Sequence, residues 1–224
     1  MRKIINICAI VAILFGLYLA FTYKEPRNGF LVVGEKQAIQ HIKNEHQNEI
    51  KSVDVYSVKI TKSNDKSVFI MKQKTAENVI KKGVLRETDN DRGIATSNPI
   101  RSLPTMINGE GVVLSNNQNE NLKKLVIGDH EIRVSYGSNT WFGHERNADF
   151  EDMILIVDDA TFNQISVDEI YMGIIELNKV YGNNHGIVDM NNGKSVQIEK
   201  EFTKLTKGTT GQFRFLKGLS IINQ

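Results

Sequence analysis

The chain has 224 residues, of which 40% are apolar, 24% are charged and three are proline, a composition that allows one sizeable folded domain. Its 28 basic and 26 acidic residues give a net charge of +2. The two signs are interspersed, so no basic patch points to nucleic acid as a partner. The chain contains one cysteine, so no intramolecular disulfide is expected to stabilise it.

The first predicted element is an apolar run over residues 4–23, IINICAIVAILFGLYLAFTY. A helix of this length, at about 1.5 Å per residue, crosses a hydrocarbon core of about 30 Å. Arg2 and Lys3 precede the run. Because retained positive charge sets orientation, residues 1–3 are predicted to stay in the cytoplasm. The sequence therefore predicts a single-pass protein of the cell membrane, with everything after residue 23 outside the cytoplasm.

Two other fates of this run are weighed against an uncleaved anchor. A cleaved signal peptide needs small residues at its cleavage site, and the run ends with Tyr18-Leu19-Ala20, where a bulky residue stands at one of those positions. A lipoprotein needs its cysteine after the apolar run, whereas Cys8 lies inside it. The uncleaved transmembrane helix fits the sequence better than either alternative.

Residues 24–35 are predicted to form a linker, and residues 36–224 one extracytoplasmic domain. An apolar stripe predicts a helix over 36–50, and it comprises Ala38, Ile39, Ile42, His46 and Ile50. A second helix is predicted after Thr75 and ends at Gly83, and a last helix is predicted from about Ser195 to Gly208.

Strands are predicted from short apolar or alternating runs. They cover residues 52–60, 67–71, 111–115, 130–136, 153–158 and 171–178. Residues 86–102 are polar and are predicted to lie outside the core. Strands distributed along the whole chain, with short helices between them, predict an α+β fold.

Patterns that carry chemistry in other proteins are incomplete here. His41 and His46 are five residues apart, which turns their side chains about 140° from each other on a helix and argues against a shared metal. The segment 141–152 is rich in possible oxygen ligands but lacks the alternating spacing of a calcium loop; its candidates are His144, Glu145, Asp149, Glu151 and Asp152. No nucleophile elbow and no glycine-rich phosphate loop occur. We therefore expect no catalytic, cofactor-binding or metal-binding residue and no enzyme, with an anchored hydrolase as the weaker alternative.

The stretch MILIVDD (153–159) is typical of the first strand of a receiver domain, which ends in an acidic pair. Receiver domains act in the cytoplasm, and they also need a phosphoacceptor aspartate and a lysine on later strands. The chain after Asp159 is too short to supply them. Asp158 and Asp159 are therefore predicted to end a strand rather than to hold a phosphorylation site.

The segment INGEGVVLSNNQNENLKKLVIGDHEIRV (107–134) contains a glycine-led strand, a short helix ending in Leu-Lys, and a Gly-Asp turn into a further strand. In this order it resembles the extracytoplasmic domain of MacB/FtsX-like ABC transporter permeases. The positions that carry the resemblance are Gly109, Leu114, Leu122, Leu125, Gly128, Asp129, Ile132 and Val134. The N-terminal half resembles, more weakly, bacteriocin-associated membrane proteins that are relatives of these permeases.

The resemblance implies that Asp158 and Asp159 cap a helix, with Phe162 and Ile165 packed inward. Such permeases have further membrane helices that this chain lacks, so the resemblance implies a partner-binding, coupling or sensing role. The expected function is that of a membrane-anchored component of an ABC transporter for peptide or bacteriocin export or antimicrobial resistance. Its expected partners are the lipid bilayer, a membrane permease subunit with its cytoplasmic ATPase, or a peptide ligand. The alternative is a stand-alone anchored binding or immunity protein.

Trp141 and Phe142 are the predicted partner-binding residues. They are adjacent large aromatic residues in YGSNTWFGHERN, a stretch of glycine, serine and asparagine that is untypical of an interior strand. Aromatic side chains provide contact area at low entropic cost, so the pair is a candidate anchor for a partner or for the membrane surface. The alternative is that both residues belong to the core.

Overall fold

The computed structural model describes residues 25–89, 96–107, 109–144, 146, 150–183, 190–207 and 213–224. The predicted cytoplasmic tail over residues 1–3 and the predicted membrane helix over residues 4–23 lie outside this part of the chain. Within the described part, no helix is both long enough and apolar enough to cross a bilayer.

Twelve strands are present among the described residues. In chain order they are β1 (Gly29–Gly34), β2 (Ile50–Ser63), β3 (Lys66–Lys72), β4 (Leu85–Asp89), β5 (Thr96–Pro99), β6 (Glu110–Ser115), β7 (Lys124–Ile127), β8 (His130–Ser138), β9 (Thr140–Phe142), β10 (Met153–Val157), β11 (Glu169–Leu177) and β12 (Phe213–Leu219). Nine strands form the main sheet, in the order β12-β1-β11-β2-β3-β10-β6-β8-β7. The other three form the small sheet, in the order β5-β4-β9.

Helices cover both faces of the main sheet. They are α1 (Lys36–Glu45), α2 (Gln73–Lys81), α3 (Asp159–Gln164) and α4 (Gly193–Lys207), and a 3-10 turn spans Asn117–Asn119. In β1, Leu31 and Val33 join a hydrophobic cluster with α2 and the small sheet. Phe30 and Val32 point the other way, into a cluster with α1 and α4. Side chains alternate along a strand, so a central strand covered on both sides has to be apolar throughout. The predicted α+β class is confirmed.

Two local predictions are confirmed in detail. Gly128 has a φ of +57° in the turn between β7 and β8, a conformation that glycine adopts without strain. The carboxylate of Asp158 accepts a hydrogen bond from the Thr161 N–H at 2.7 Å and caps α3. Phe162 and Ile165 are buried beneath α3, as predicted. The acidic pair at 158–159 thus ends a strand and begins a helix.

The structure differs from the sequence prediction at one edge of the main sheet, the edge formed by β12 and β1. The predicted linker over 24–35 contains β1, all six residues of which are buried. β1 lies between β11 and β12, and β12 itself was not predicted. A short apolar run with no alternation does not distinguish a buried strand from other apolar segments. Partners far away in sequence decide its conformation.

Two further segments differ in secondary structure from the sequence prediction. The helix predicted over 36–50 ends at Glu45, and Ile50 begins β2 instead. The polar residues 86–102, predicted to lie outside the core, contribute β4 and β5. These strands were missed because their outward-facing positions carry polar and charged side chains, which have no apolar periodicity.

Candidate binding site on the small sheet

Trp141 and Phe142 both lie in β9, and successive residues of a strand point to opposite faces. Phe142 is fully buried, and its ring lies 5.0 Å from that of Phe69. Its backbone N–H donates to Oε2 of Glu151 at 2.9 Å, while Oε1 accepts from Lys217 Nζ at 2.8 Å. Phe142 is therefore a core residue, with its ring packed on Phe69 and its N–H bonded to Glu151. The predicted partner-binding role is corrected for this residue, and the core alternative holds for it.

Trp141 lies on the opposite side of the small sheet, which we call the outer face. It is partly exposed, and its indole N–H donates to the His144 backbone oxygen at 3.3 Å. Arg86 of β4 is directly opposite Trp141, and Pro99 of β5 is directly opposite Arg86. Directly opposite residues in antiparallel strands share a face. Trp141, Arg86 and Pro99 therefore form a row across the outer face.

Arg86 is the largest fully buried side chain described, with 2% of its surface exposed. Its Nε donates to Ser97 Oγ at 3.0 Å, and its Nη2 donates to the Ser97 backbone oxygen at 2.7 Å. Nη2 also forms an ion pair with Oε1 of Glu25. A guanidinium removed from water needs such partners, because an unpaired buried charge is strongly unfavourable. The pairing with Glu25 and Ser97 accounts for only part of its donor capacity.

Four buried polar atoms at this place have no hydrogen-bond partner among the residues that the structure describes. They are Arg86 Nη1, Glu25 Oε2, Thr88 Oγ1 and Asn139 Oδ1. Thr88 is two residues from Arg86 on the same strand, and its N–H donates to the Asn139 backbone oxygen at 3.1 Å. Native proteins leave few such atoms without a partner in protein, ligand or water. Their concentration around β4 marks the site, which we call the Arg86 cluster.

Glu25 belongs to a segment that is fixed to the domain. Next to it, Pro26 forms a β-bridge with Asn183. Arg27 Nε donates to the Tyr181 backbone oxygen at 2.8 Å, and its guanidinium lies 3.8 Å from the centre of the Phe202 ring. These contacts fix the segment to the α4 side of the domain, and the Glu25–Arg86 ion pair connects it to the small sheet.

Asn28 fixes the same segment to the C-terminal strand region. Its Nδ2 donates to the Ile221 oxygen at 2.9 Å, and its Oδ1 accepts from the Ile221 N–H at 2.7 Å. Arg27 in turn forms an ion pair with Glu199 of α4. The segment from Glu25 to Asn28 is thus docked at several points, although the sequence predicted it as part of a linker.

Several other candidate residues of the sequence take part in ion pairs or hydrogen bonds. His41 is exposed and pairs with Glu45 at 3.1 Å. Asp152 accepts from Arg146 and from the Ser67 N–H. Glu145 and Asp149 lie outside the described residues, and Glu151 is held by Lys217 and β9, as given above. Within the described ranges, no group of three or more potential ligands could hold a metal ion.

Sequence reasoning missed Arg86 and Glu25. Glu25 lies in the polar stretch KEPRNG and Arg86 in GVLRET, and neither stretch matches a motif. For Arg86, the one signal in the sequence is that it directly follows Val84 and Leu85. A charged residue next to apolar ones more often marks the solvent-facing side of a strand, so this signal did not indicate a buried site.

Comparison with known proteins identifies the family of the chain. A model described as an uncharacterised lipoprotein family matches residues 27–203, from the docked Arg27 to within α4. The chain belongs to this family. Membership in a lipoprotein family agrees with the predicted membrane-anchored, extracytoplasmic protein. None of the curated proteins matches the chain.

A crystal structure of a Bacillus anthracis protein described as a lipoprotein is similar to this chain, with a TM-score of 0.67 and 22% sequence identity. The match covers 87% of this chain and 99% of that one. At this identity, the likeness shows that the two proteins share a fold.

The resemblance to MacB/FtsX-like permease domains is wrong. The lipoprotein family model covers the whole segment 107–134 that carried the resemblance. A strand, a Gly-Asp turn and a second strand form a local pattern that any fold with such a turn can contain, so the match did not define the family.

Proposed function

We propose that the chain is a membrane-anchored extracytoplasmic binding protein that takes a peptide ligand at the outer face of the small sheet. The observation that carries this proposal is the Arg86 cluster, where four buried polar atoms without partners among the described residues lie beside the partly exposed Trp141. Family membership supports the location, and the cluster supports binding.

The chemical class of the ligand follows from the four buried polar atoms that lack hydrogen-bond partners among the described residues. Nη1 of Arg86 is a donor, Oε2 of Glu25 and Oδ1 of Asn139 are acceptors, and the Thr88 hydroxyl can act as either. A ligand that satisfies them needs both acceptors and donors, which a peptide main chain provides with its C=O and N–H groups. A free peptide carboxylate matches the guanidinium particularly well, because charge-assisted hydrogen bonds are the stronger ones. The indole of Trp141 adds apolar contact area.

A catalytic function has no comparable support. The most buried ion pairs of the described residues, Arg86 with Glu25 and Lys217 with Glu151, hold charges in place rather than activate a nucleophile. We therefore propose binding without chemistry.

For the anchor, we propose the uncleaved helix over residues 4–23, with Arg2 and Lys3 retained in the cytoplasm. The family description suggests a lipid anchor instead, for which Cys8 is the only thiol in the chain. The two anchors are separable by experiment.

Partnership with a permease subunit and its ATPase stays an untested prediction. It rested on the permease resemblance, and with that resemblance withdrawn no observation favours it over the stand-alone binding protein. We therefore propose the stand-alone anchored binding protein, which the sequence analysis gave as the alternative function.

The test uses Trp141 as its own reporter, because it is the only tryptophan. The full-length chain in detergent is titrated with a mixed pool of free tripeptides and, separately, with the same pool amidated at the C-terminus. We expect a saturable change in indole emission with the free pool and a weaker one with the amidated pool.

Thr88→Val removes one free hydroxyl without touching the Arg86–Glu25 pair and should weaken the response. Thr61→Val on β2 of the main sheet is the matched control and should bind like the wild type. The absence of a saturable response to either pool would refute peptide binding at this site.

A further inference from the structure

The Arg86 cluster is closed in the structure. The side chain of Arg86 is 2% exposed, and its unpartnered Nη1 is buried together with the other polar atoms of the cluster. A ligand atom needs to come within about 3 Å of Nη1 to accept a hydrogen bond from it. A group that covers the guanidinium therefore has to move before a ligand can bind there.

Glu25 is the group that covers the guanidinium. Its side chain is 12% exposed and that of Arg86 is 2% exposed, so the carboxylate lies on the solvent side of the ion pair. Glu25 belongs to no strand or helix, and among the described residues its carboxylate is bonded to Arg86 alone. Rotation of this one side chain removes the carboxylate from the guanidinium. The Ser97 backbone oxygen, by contrast, can leave Arg86 only if β5 moves.

The ion pair between Glu25 and Arg86 is only half formed. Glu25 Oε1 accepts from Arg86 Nη2, but Glu25 Oε2 and Arg86 Nη1 are both buried without a hydrogen-bond partner among the described residues. A guanidinium and a carboxylate bind most strongly through two parallel hydrogen bonds, and a buried polar atom without a partner costs free energy. A ligand carboxylate that takes the Nη2 bond from Glu25 and adds a bond to Nη1 therefore pairs with Arg86 more completely than Glu25 does.

We propose that Glu25 occupies the place of the ligand's carboxylate in the free protein, and that the C-terminal carboxylate of a peptide displaces it from Arg86. This inference rests on the proposed function, because it states how the same site opens and which end of the peptide it recognises. Arg86 keeps a negatively charged partner in both states, so its buried guanidinium is never left unpaired. The displaced Glu25 carboxylate turns to water, which also supplies partners for Oε2.

The exchange leaves the backbone of the entry segment in place. Pro26 is bridged to Asn183, and Arg27 is bonded to the Tyr181 oxygen and to Glu199, and none of these contacts involves the Glu25 carboxylate. The apparent affinity for a peptide is lowered by the fraction of molecules in which Glu25 covers Arg86. A peptide without a free carboxylate has no charge to offer in exchange, so Glu25 makes the site selective for free C-termini.

The test compares the wild type with Glu25→Asp, titrated as full-length chains in detergent with the free and the amidated tripeptide pools. Aspartate keeps the charge but is one methylene shorter, so it holds the guanidinium less well. Emission of Trp141, the only tryptophan, reports binding. We expect the midpoint concentration for the free pool to fall about tenfold, which corresponds to a Glu25 that covers Arg86 in about nine of ten wild-type molecules. The midpoint for the amidated pool should stay unchanged.

Two glutamine variants complete the set. Glu25→Gln removes the charge from the covering side chain and should also strengthen binding of the free pool. Glu131→Gln is the matched control, because it removes the carboxylate of an exposed ion pair with Lys124 on β7. It makes the same change in net charge away from the Arg86 cluster and should bind both pools like the wild type.

Three outcomes would overturn the proposed exchange. If Glu25→Asp binds the free pool like the wild type while Glu25→Gln binds it more tightly, Glu25 only repels the ligand through its charge. If both variants bind the free pool more weakly, Glu25 is a fixed part of the site. An equal gain for the free and the amidated pools shows a general loosening of the segment rather than displacement of one carboxylate by another.

The wild-type titration separates this failure from that of the proposed function. The absence of a saturable response in every variant refutes peptide binding and the exchange together. A saturable wild-type response that neither Glu25 variant strengthens refutes the exchange alone.

Discussion

Arg86 and Glu25 form a buried ion pair between the centre of the small sheet and the segment that enters from the N-terminus. The side chain of Arg86 is 2% exposed and that of Glu25 is 12% exposed. The pair joins residues 61 positions apart in sequence. It connects the small sheet to the segment that follows the apolar run, so we expect the stability of the fold to depend on it.

Replacing Arg86 with methionine should destabilise the domain by about 3–5 kcal/mol, because the Glu25 carboxylate then stays buried without its counter-charge. The double variant Arg86→Met, Glu25→Leu should recover part of this loss, since neither charge remains. Denaturant unfolding measures both changes. Arg133→Met, an exposed position on β8, is the control and should change the free energy of unfolding by less than about 0.5 kcal/mol. Equal effects at positions 86 and 133 would contradict the buried pair.

The two aromatic neighbours should respond differently to alanine. Phe142→Ala removes a fully buried ring from the cluster around Phe69 and should cost about 3–5 kcal/mol. Trp141→Ala removes a partly exposed side chain from the outer face and should cost less, about 1–2 kcal/mol. The midpoint of chemical unfolding reports both. Similar losses for the two variants would show that Trp141 is a core residue as well.

Asp158 should make the stability depend on pH in the acid range. The backbone N–H of Thr161 hydrogen-bonds its carboxylate and lowers the pKa below the usual 3.8. A lowered folded-state pKa stabilises the fold above the unfolded-state pKa, and this contribution disappears as the pH falls from about 4 through the folded-state value. Asp158→Ala should cost about 1 kcal/mol at neutral pH.

Asp158→Asn is the informative companion of the alanine variant, because asparagine also caps helices but does not titrate in this range. Its unfolding free energy should follow a shallower acid slope than that of the wild type. Parallel pH profiles for the wild type and Asp158→Asn would contradict a functional cap on α3.

Gly173 should tolerate no larger side chain, because α1 packs directly against it. A Cβ at this position would lie 2.9 Å from Ile39 Cγ2 and 3.0 Å from Val32 Cγ2. Gly173→Ala should therefore cost about 1–3 kcal/mol through overpacking. Gly193→Ala, where a Cβ meets no atom within 4 Å, is the control and should be close to neutral. Thermal unfolding of both variants decides the point.

The anchor can be tested through the only thiol. Cys8→Ser should leave the protein in the membrane fraction if residues 4–23 span the bilayer, because a helix of this length does not need the sulfur atom. Release of Cys8→Ser into the soluble fraction would instead show that lipid on Cys8 is the anchor.

The same Cys8→Ser background tests on which side of the membrane the domain lies. Adding Lys62→Cys, an exposed position at the end of β2, should allow labelling of intact cells by a membrane-impermeant thiol reagent. Labelling only after lysis would place the domain in the cytoplasm.

Local features of the fold could be predicted because neighbouring residues determine them. The 3.6-residue period of Ile39 and Ile42, the positive φ of Gly128 and the cap at Asp158 depend on residues within one turn of each other. The continuous apolar run at 153–157 also identifies β10, because five buried residues in succession need cover on both faces. These features established the α+β class.

The candidate site and the family could not be predicted in the same way. A polar strand such as β4 takes its conformation from β5 and β9, and the buried state of Arg86 depends on Glu25, which is remote in sequence. A turn-and-strand pattern in 107–134 was mistaken for a family signature, because a local motif carries no information about the sheet around it.

By itself, the sequence determined the secondary-structure class, the apolar run at 4–23 and the caps and turns, because each depends on short-range sterics, hydrogen bonds or a local apolar period. Only the tertiary structure decided that β1 lies inside the main sheet, that Phe142 and Trp141 face opposite ways, and that Arg86 meets Glu25. These depend on strand pairing over long sequence separations, and the free energy of burial and charge pairing that selects them exists only once the distant segments come together.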